Sequence, residues 1–182
     1  HVPRRGPLNL PFLGFSLGRE SWVLTSQKLK RDELTAPEFL GLRRAENVRE
    51  IHYWGHYPVA DLEYETDTPV SVGLRAWSPF IPGDVAISNT PGAVFEVHLR
   101  NITDTAQKGR AVFSFPGPSP EEVGGSPTFQ HTRVRGKFSG VVVTHEGGAG
   151  YALGVIGRED IRTGGDLGIE GGAWVRIAEG WD

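Results

Sequence analysis

The chain contains no cysteine among its 182 residues, and this absence excludes several kinds of chemistry. A disulfide framework, a thiolate nucleophile and a thiolate metal site are all ruled out. No apolar run approaches the roughly 20 residues that a membrane-spanning helix requires, so we expect no transmembrane segment. No stretch reads as a signal peptide, and we expect a cytoplasmic protein, with secretion as the alternative.

A large excess of charge of one sign is also missing, since 19 basic and 22 acidic residues give a net charge of −3. Nucleic-acid-binding domains usually carry a basic surface, so the composition argues against a nucleic-acid partner. Methionine is absent as well. Because a chain that starts at His1 has no initiator, we expect a processed or cut product.

Glycine and proline are abundant instead, with 25 and 13 residues, and both weaken helix interiors. From residue 48 onward, apolar and polar residues alternate in short stretches, which is typical of strands. Strands are predicted at residues 59–64, 70–76, 93–100, 111–115, 132–135, 141–144, 151–156 and 173–177. Short strands at this spacing predict an all-β fold, an antiparallel β-sandwich.

Residues 1–47 show no clear period. The sequence therefore predicts two parts: an irregular N-terminal arm over residues 1–47 and a β-sandwich segment over residues 48–182.

Motifs for cofactors and metals fail on spacing. The glycine run from Gly148 to Gly154 has one residue too many for a phosphate-binding loop, and a strand pattern follows it, so we interpret it as a hairpin turn. If His52 and His56 lay on a strand they would share a face but would be too far apart for an easy chelate, so we interpret them as surface or interface histidines. His1 would suit the copper site of lytic polysaccharide monooxygenases, but no stretch around the other five histidines resembles that family. We predict no metal and no other cofactor.

Aromatic residues offer another kind of surface. The five tryptophans could stack on sugar rings or pack in the core, and we favour packing for any single one of Trp22, Trp54, Trp77, Trp174 and Trp181. A stand-alone carbohydrate-binding or structural β-sandwich module is therefore one of two functions that we consider. The other follows from the family resemblance described next.

One series of short strings carries a resemblance to a known family. Gly55 to Ala60 (GHYPVA) leads through Tyr64-Glu65 and Pro69-Val70 to residues 74–82 (LRAWSPFIP), and residues 91–95 (PGAVF) follow. This series, about a third of the chain, is similar to the N-terminal domain of family-116 glycoside hydrolases, which include non-lysosomal glucosylceramidase and bacterial β-glucosidases. The chain departs from the family at Trp77, where phenylalanine is usual, and at residues 88–90, where an Asp-Ser pair is expected.

The resemblance implies the N-terminal sandwich of a retaining glycosidase that acts on β-glucosides. It implies a companion (α/α) barrel domain or chain that carries both catalytic carboxylates, so this chain would hold no catalytic residue. The family's sandwich is longer than this chain, so the supersandwich-like fold would be incomplete without a partner segment. Loop residues beside the Pro82-Gly83 turn would then reach the rim of the carbohydrate substrate's site, and we expect this of Trp77, Asp84 and Asn89.

Overall fold

The computed structural model of the chain describes residues 12–18, 20–26, 46–115, 117, 129–145 and 150–163. These residues form eleven strands and one short helix, which confirms the prediction of an all-β fold. The strands are β1 (Phe12–Leu17), β2 (Glu20–Val23), β3 (Glu46–Asn47), β4 (Glu50–His56), β5 (Val59–Glu65), β6 (Val70–Trp77), β7 (Val94–Asn101), β8 (Gly109–Ser114), β9 (Phe129–Val134), β10 (Phe138–His145) and β11 (Gly150–Ile156), and the helix is α1 (Val85–Ser88). Among the described residues, no helix has the length and apolar composition that crossing a membrane requires.

The strands form three sheets, with the orders β3-β2-β1-β8, β4-β5-β6-β7 and β11-β10-β9. The first two sheets belong to a compact unit that contains Phe12–Phe113, and the third belongs to a second unit that contains Ser114–Ala173. Strands β4 to β7 form an antiparallel meander in which each strand pairs with the next along the chain.

The core of the larger unit lies between its two sheets. The first sheet and the residues that follow its strands contribute Leu13, Phe15, Trp22, Leu24 and Val48, and the β4–β7 sheet contributes Tyr64, Val70, Val72 and Leu74. The ring of Phe15 is 1% exposed and stacks on Trp22, with ring centroids 5.8 Å apart. Two sheets that bury apolar side chains against each other form a sandwich, as predicted.

Strands β1 and β2 lie inside residues 1–47, where we predicted only an irregular arm. The five consecutive residues from Phe12 to Ser16 are all buried, so β1 has no wet face and shows no alternation of apolar and polar residues. A period-two pattern is visible only where one face of a strand meets water.

The two-residue strand β3 also departs from the antiparallel prediction, because it pairs with β2 in parallel. The boundary at residue 47 itself stays a prediction.

The smaller unit holds an antiparallel sheet of β9, β10 and β11. Thr144 pairs with Gly150, so the glycine-rich stretch joins two antiparallel neighbours, as expected of a hairpin. Gly140 and Gly154 face each other in this sheet, and a Cβ added at Gly140 would collide with the backbone carbonyl of Leu153. The predicted strand at residues 173–177 lies outside the described residues, as do His1, Trp174 and Trp181.

Candidate functional site

The β4–β7 sheet has one face on the core and one face turned outward. Because side chains alternate along a strand, Tyr64, Val72 and Leu74 enter the core while their chain neighbours point away from it. The strand register aligns these outward residues in rows across the sheet. One row is Trp54, Asp61, Arg75 and Glu96, and the next is His52, Glu63, Gly73 and His98.

A forked ion pair lies at the centre of the first row. Arg75 donates from Nε to Asp61 Oδ1 at 2.7 Å and from Nη2 to Asp61 Oδ2 at 3.3 Å. This hydrogen bonding, and then the charge of Arg75, lowers the pKa of Asp61, while the same contacts raise the pKa of Arg75. His98 Nε2 lies 3.4 Å from Glu96 Oε1 in the adjoining part of the sheet. Asp61 therefore stays a carboxylate to a lower pH than an ordinary aspartate.

Strand β4 carries a series of flat rings on its outward face. His52, Trp54 and His56 occupy every second position, and the rings of His52 and Trp54 lie 6.1 Å apart at an interplanar angle of 34°. Trp54 is 53% exposed. The register sets Glu63 opposite His52 and Asp61 opposite Trp54. Each of these two rings thus has a carboxylate on the neighbouring strand.

Sequence reasoning took these histidines as surface or interface residues and did not connect them with Trp54. The signal that could have found the series is its spacing, since residues two apart on a strand share a face. The partners on β5 could not be read from the sequence, because they depend on the hairpin register.

Potential metal ligands also meet on this face. Glu50, His52 and Glu65 are exposed, and one ligand atom from each lies within 4.8 Å of the others. Glu50 and Glu65 face each other across β4 and β5, and Arg49 Nη1 lies 3.8 Å from Glu65 Oε1. This group could offer oxygen and imidazole ligands to a divalent cation.

Apolar side chains are exposed at one end of the same sheet. This end contains the β4–β5 turn and the β6–β7 connection, and we call its five large exposed apolar residues the apolar end patch. The ring of Tyr57 meets Phe80 edge to face, with ring centroids 5.0 Å apart. Helix α1 buries none of its residues. The exposed fractions are 82% for Tyr57, 42% for Phe80, 48% for Ile81, 69% for Val85 and 40% for Ile87.

Internal hydrogen bonds hold the β6–β7 connection in shape. The amide of Ile81 donates to Ser88 Oγ at 3.1 Å, and Ser88 Oγ donates to the Ile81 carbonyl at 3.0 Å. The Asp84 carboxylate caps α1 by accepting from the Ile87 amide at 3.0 Å. The apolar side chains of this connection therefore project from a defined backbone.

The three residues expected at a substrate rim lie at this end of the sheet. Trp77 is the last residue of β6, half-buried, and pairs with Val59 and Val94. Asp84 and Asn89 are the N-cap and C-cap of α1. The sequence placed Asp84 beside a turn, and the structure gives its carboxylate the additional role of capping α1.

Comparison with known protein families adds one finding. The family model described as beta-glucosidase 2, glycosyl-hydrolase family 116 N-terminal, matches residues 16–156. The match includes the outward rows, the apolar end patch and the expected rim residues. A search of curated proteins gives no match.

Proposed function

Because the chain belongs to the N-terminal domain family of glycosyl-hydrolase family 116, we propose that it scaffolds a companion catalytic domain. That domain is an (α/α) barrel carrying the nucleophile and the acid/base carboxylate of a retaining β-glucosidase or glucosylceramidase-like enzyme. In this proposal the chain itself supplies no catalytic carboxylate.

The observation that carries the proposal is the apolar end patch. Large apolar side chains exposed together at one end of a sheet are typical of a surface that another protein covers. Residues 78–93 contain a single charged residue, Asp84, and depletion of charge is characteristic of the centre of an interface. The hydrogen bonds within this connection also reduce the conformational entropy that binding would cost. We therefore place the contact with the catalytic domain at this end of the sheet.

A binding measurement with a matched control tests this placement. We would titrate the separately produced catalytic domain with the 182-residue chain, carrying either Phe80→Ser with Ile87→Ser or the control Ile102→Ser. Ile102 is also exposed, at 62%, but it follows β7 at the opposite end of the same sheet. We expect the double variant to weaken binding about tenfold or more, and the control to leave it unchanged.

Two results would contradict the proposal. One is equal affinity for the double variant and the wild-type chain. The other is no complex between the wild-type chain and the catalytic domain, which would favour the stand-alone module.

We extend the proposal to the substrate site. Trp77 and the two caps of α1 lie beside the apolar end patch, so a catalytic domain bound there would bring them near its own surface. We propose that Trp77, Asp84 and Asn89 contribute to the rim at which carbohydrate enters. The role is one of positioning substrate and not of catalysis.

Kinetics of the complete glycosidase test the rim. Asp84→Ser retains an N-cap oxygen but removes the charge, so its effect is separate from loss of the cap. We expect Asp84→Ser with Asn89→Ala to lower kcat/KM for an aryl β-glucoside by about threefold to tenfold, mainly through KM. Asp104→Ser, in the exposed loop beyond β7, serves as the control. Wild-type kinetics in the double variant would reject the rim assignment.

A further inference from the structure

The outward face of β4 and β5 presents a second surface, separate from the apolar end patch. We infer that it binds a neutral oligosaccharide, with Trp54 as the stacking platform and Asp61 and Glu63 as hydroxyl acceptors. This inference does not depend on the proposed scaffolding role, since it concerns the chain by itself.

The shape of this surface favours a ligand with repeating flat faces. His52, Trp54 and His56 repeat at two-residue intervals along an edge strand, which corresponds to a spacing of about 7 Å. Trp54 is 53% exposed although its ring is large and apolar, so part of its surface is available for contact. The apolar face of a pyranose ring stacks on such a platform, and a chain of sugars repeats that face.

The polar groups beside the rings specify a ligand that donates hydrogen bonds. A carboxylate only accepts, and β5 places Asp61 opposite Trp54 and Glu63 opposite His52. Neighbouring hydroxyl groups of a sugar can donate to the two oxygens of one carboxylate. Arg75, which holds Asp61 through two hydrogen bonds, fixes the orientation of that carboxylate before the ligand arrives.

The charges on this face decide between glycan classes. The outward residues include five acidic groups, Glu50, Asp61, Glu63, Glu65 and Glu96, against two basic ones, Arg75 and Arg100, so acidic groups are in excess on this face. An acidic polysaccharide would be repelled by this excess. A cationic peptide could pair with these carboxylates and stack on Trp54, so the charges exclude only acidic glycans. The two-residue repeat of flat rings along β4 favours the repeating rings of a neutral sugar chain, and the comparison with oligolysine tests this choice.

Isothermal titration calorimetry of the 182-residue chain tests the inference, with cellotetraose as the neutral probe, because the heat of binding does not depend on Trp54 as a reporter. Polygalacturonate and an oligolysine peptide serve as anionic and cationic comparisons. We expect saturable binding of cellotetraose, a Kd raised about tenfold or more by Trp54→Ala, and a severalfold rise with Asp61→Asn. Tyr53→Ala is the matched control, because Tyr53 is 65% exposed on the same strand but at an alternate position. It should change the Kd less than twofold.

The variants keep the test decisive if one of them misfolds. Trp54→Phe retains a smaller ring and should bind between the wild-type chain and Trp54→Ala, which a merely structural role for Trp54 does not require. The inference is overturned if the chain does not bind cellotetraose, if Trp54→Ala binds it as tightly as the wild-type chain, or if only oligolysine or polygalacturonate binds.

Discussion

The two faces of the β4–β7 sheet differ in chemistry although the same strands build both. On the inner face, Tyr64, Val72 and Leu74 are at most 7% exposed and pack against the other sheet. On the outer face, Trp54 and the row that contains Asp61 and Arg75 meet water. The inner face therefore determines stability, and the outer face can carry recognition without cost to the core. Of two adjacent residues on one strand, mutation of the inward one should therefore lower the free energy of unfolding much more than mutation of the outward one.

Substitution of a buried residue on the inner face should destabilise the fold most. Leu74→Ala removes most of a side chain that is 7% exposed, and we expect it to lower the free energy of unfolding by about 2–5 kcal/mol. Arg75→Ala, one residue along, should change stability far less, because exposed ion pairs contribute little. Urea denaturation of both variants measures the difference. Equal destabilisation by the two substitutions would contradict the assignment of faces.

Tyr64 on the same inner face should make the stability depend on pH in the alkaline range. Burial raises the pKa of the Tyr64 phenol from 10.0 to about 12. Between these values the unfolded chain has released the proton and the folded chain has not, so unfolding is increasingly favoured as pH rises through this window. We expect stability to fall from about pH 10 to about pH 12 in the wild-type chain, and this component to be absent in Tyr64→Phe. Urea denaturation across the alkaline range checks this, and an identical pH dependence in Tyr64→Phe would contradict it.

The smallest expected effect lies on the outer face. Hydrogen bonds from Arg75 lower the pKa of Asp61, so this pair stabilises the fold above the ordinary aspartate pKa and loses that contribution as pH falls through the lowered value. Arg75→Gln should return the pKa of Asp61 toward 3.8. Carboxyl-detected NMR titration of Asp61 measures the change. An unchanged pKa in Arg75→Gln would show that another group holds the carboxylate.

Sequence patterns predicted part of the fold for a physical reason. Strands β5 and β6 were predicted because their residues alternate between core and water. Strand β1 was missed because both of its faces are covered, and β4 was missed because most of its residues are exposed. Alternation therefore reveals only strands with one wet face.

The candidate surfaces were less accessible to sequence reasoning. The resemblance drew attention to the sequence strings that contain Tyr57 and Phe80, and the family match confirms the family. That both rings are exposed at the same end of one sheet depends on the folded structure and could not be read from the sequence. Likewise, the pairing of Trp54 with Asp61 follows from the hairpin register and not from spacing along the chain. The rim residues Trp77, Asp84 and Asn89 stay a prediction.

Hydrogen–deuterium exchange shows directly whether a catalytic domain binds at the apolar end patch. Exchange would be compared between the chain alone and its complex with the catalytic domain. We expect slower exchange in residues 78–90, which include α1, and no change in residues 102–108 at the opposite end of the β4–β7 sheet. Protection at residues 102–108 with none at residues 78–90 would contradict binding at the patch.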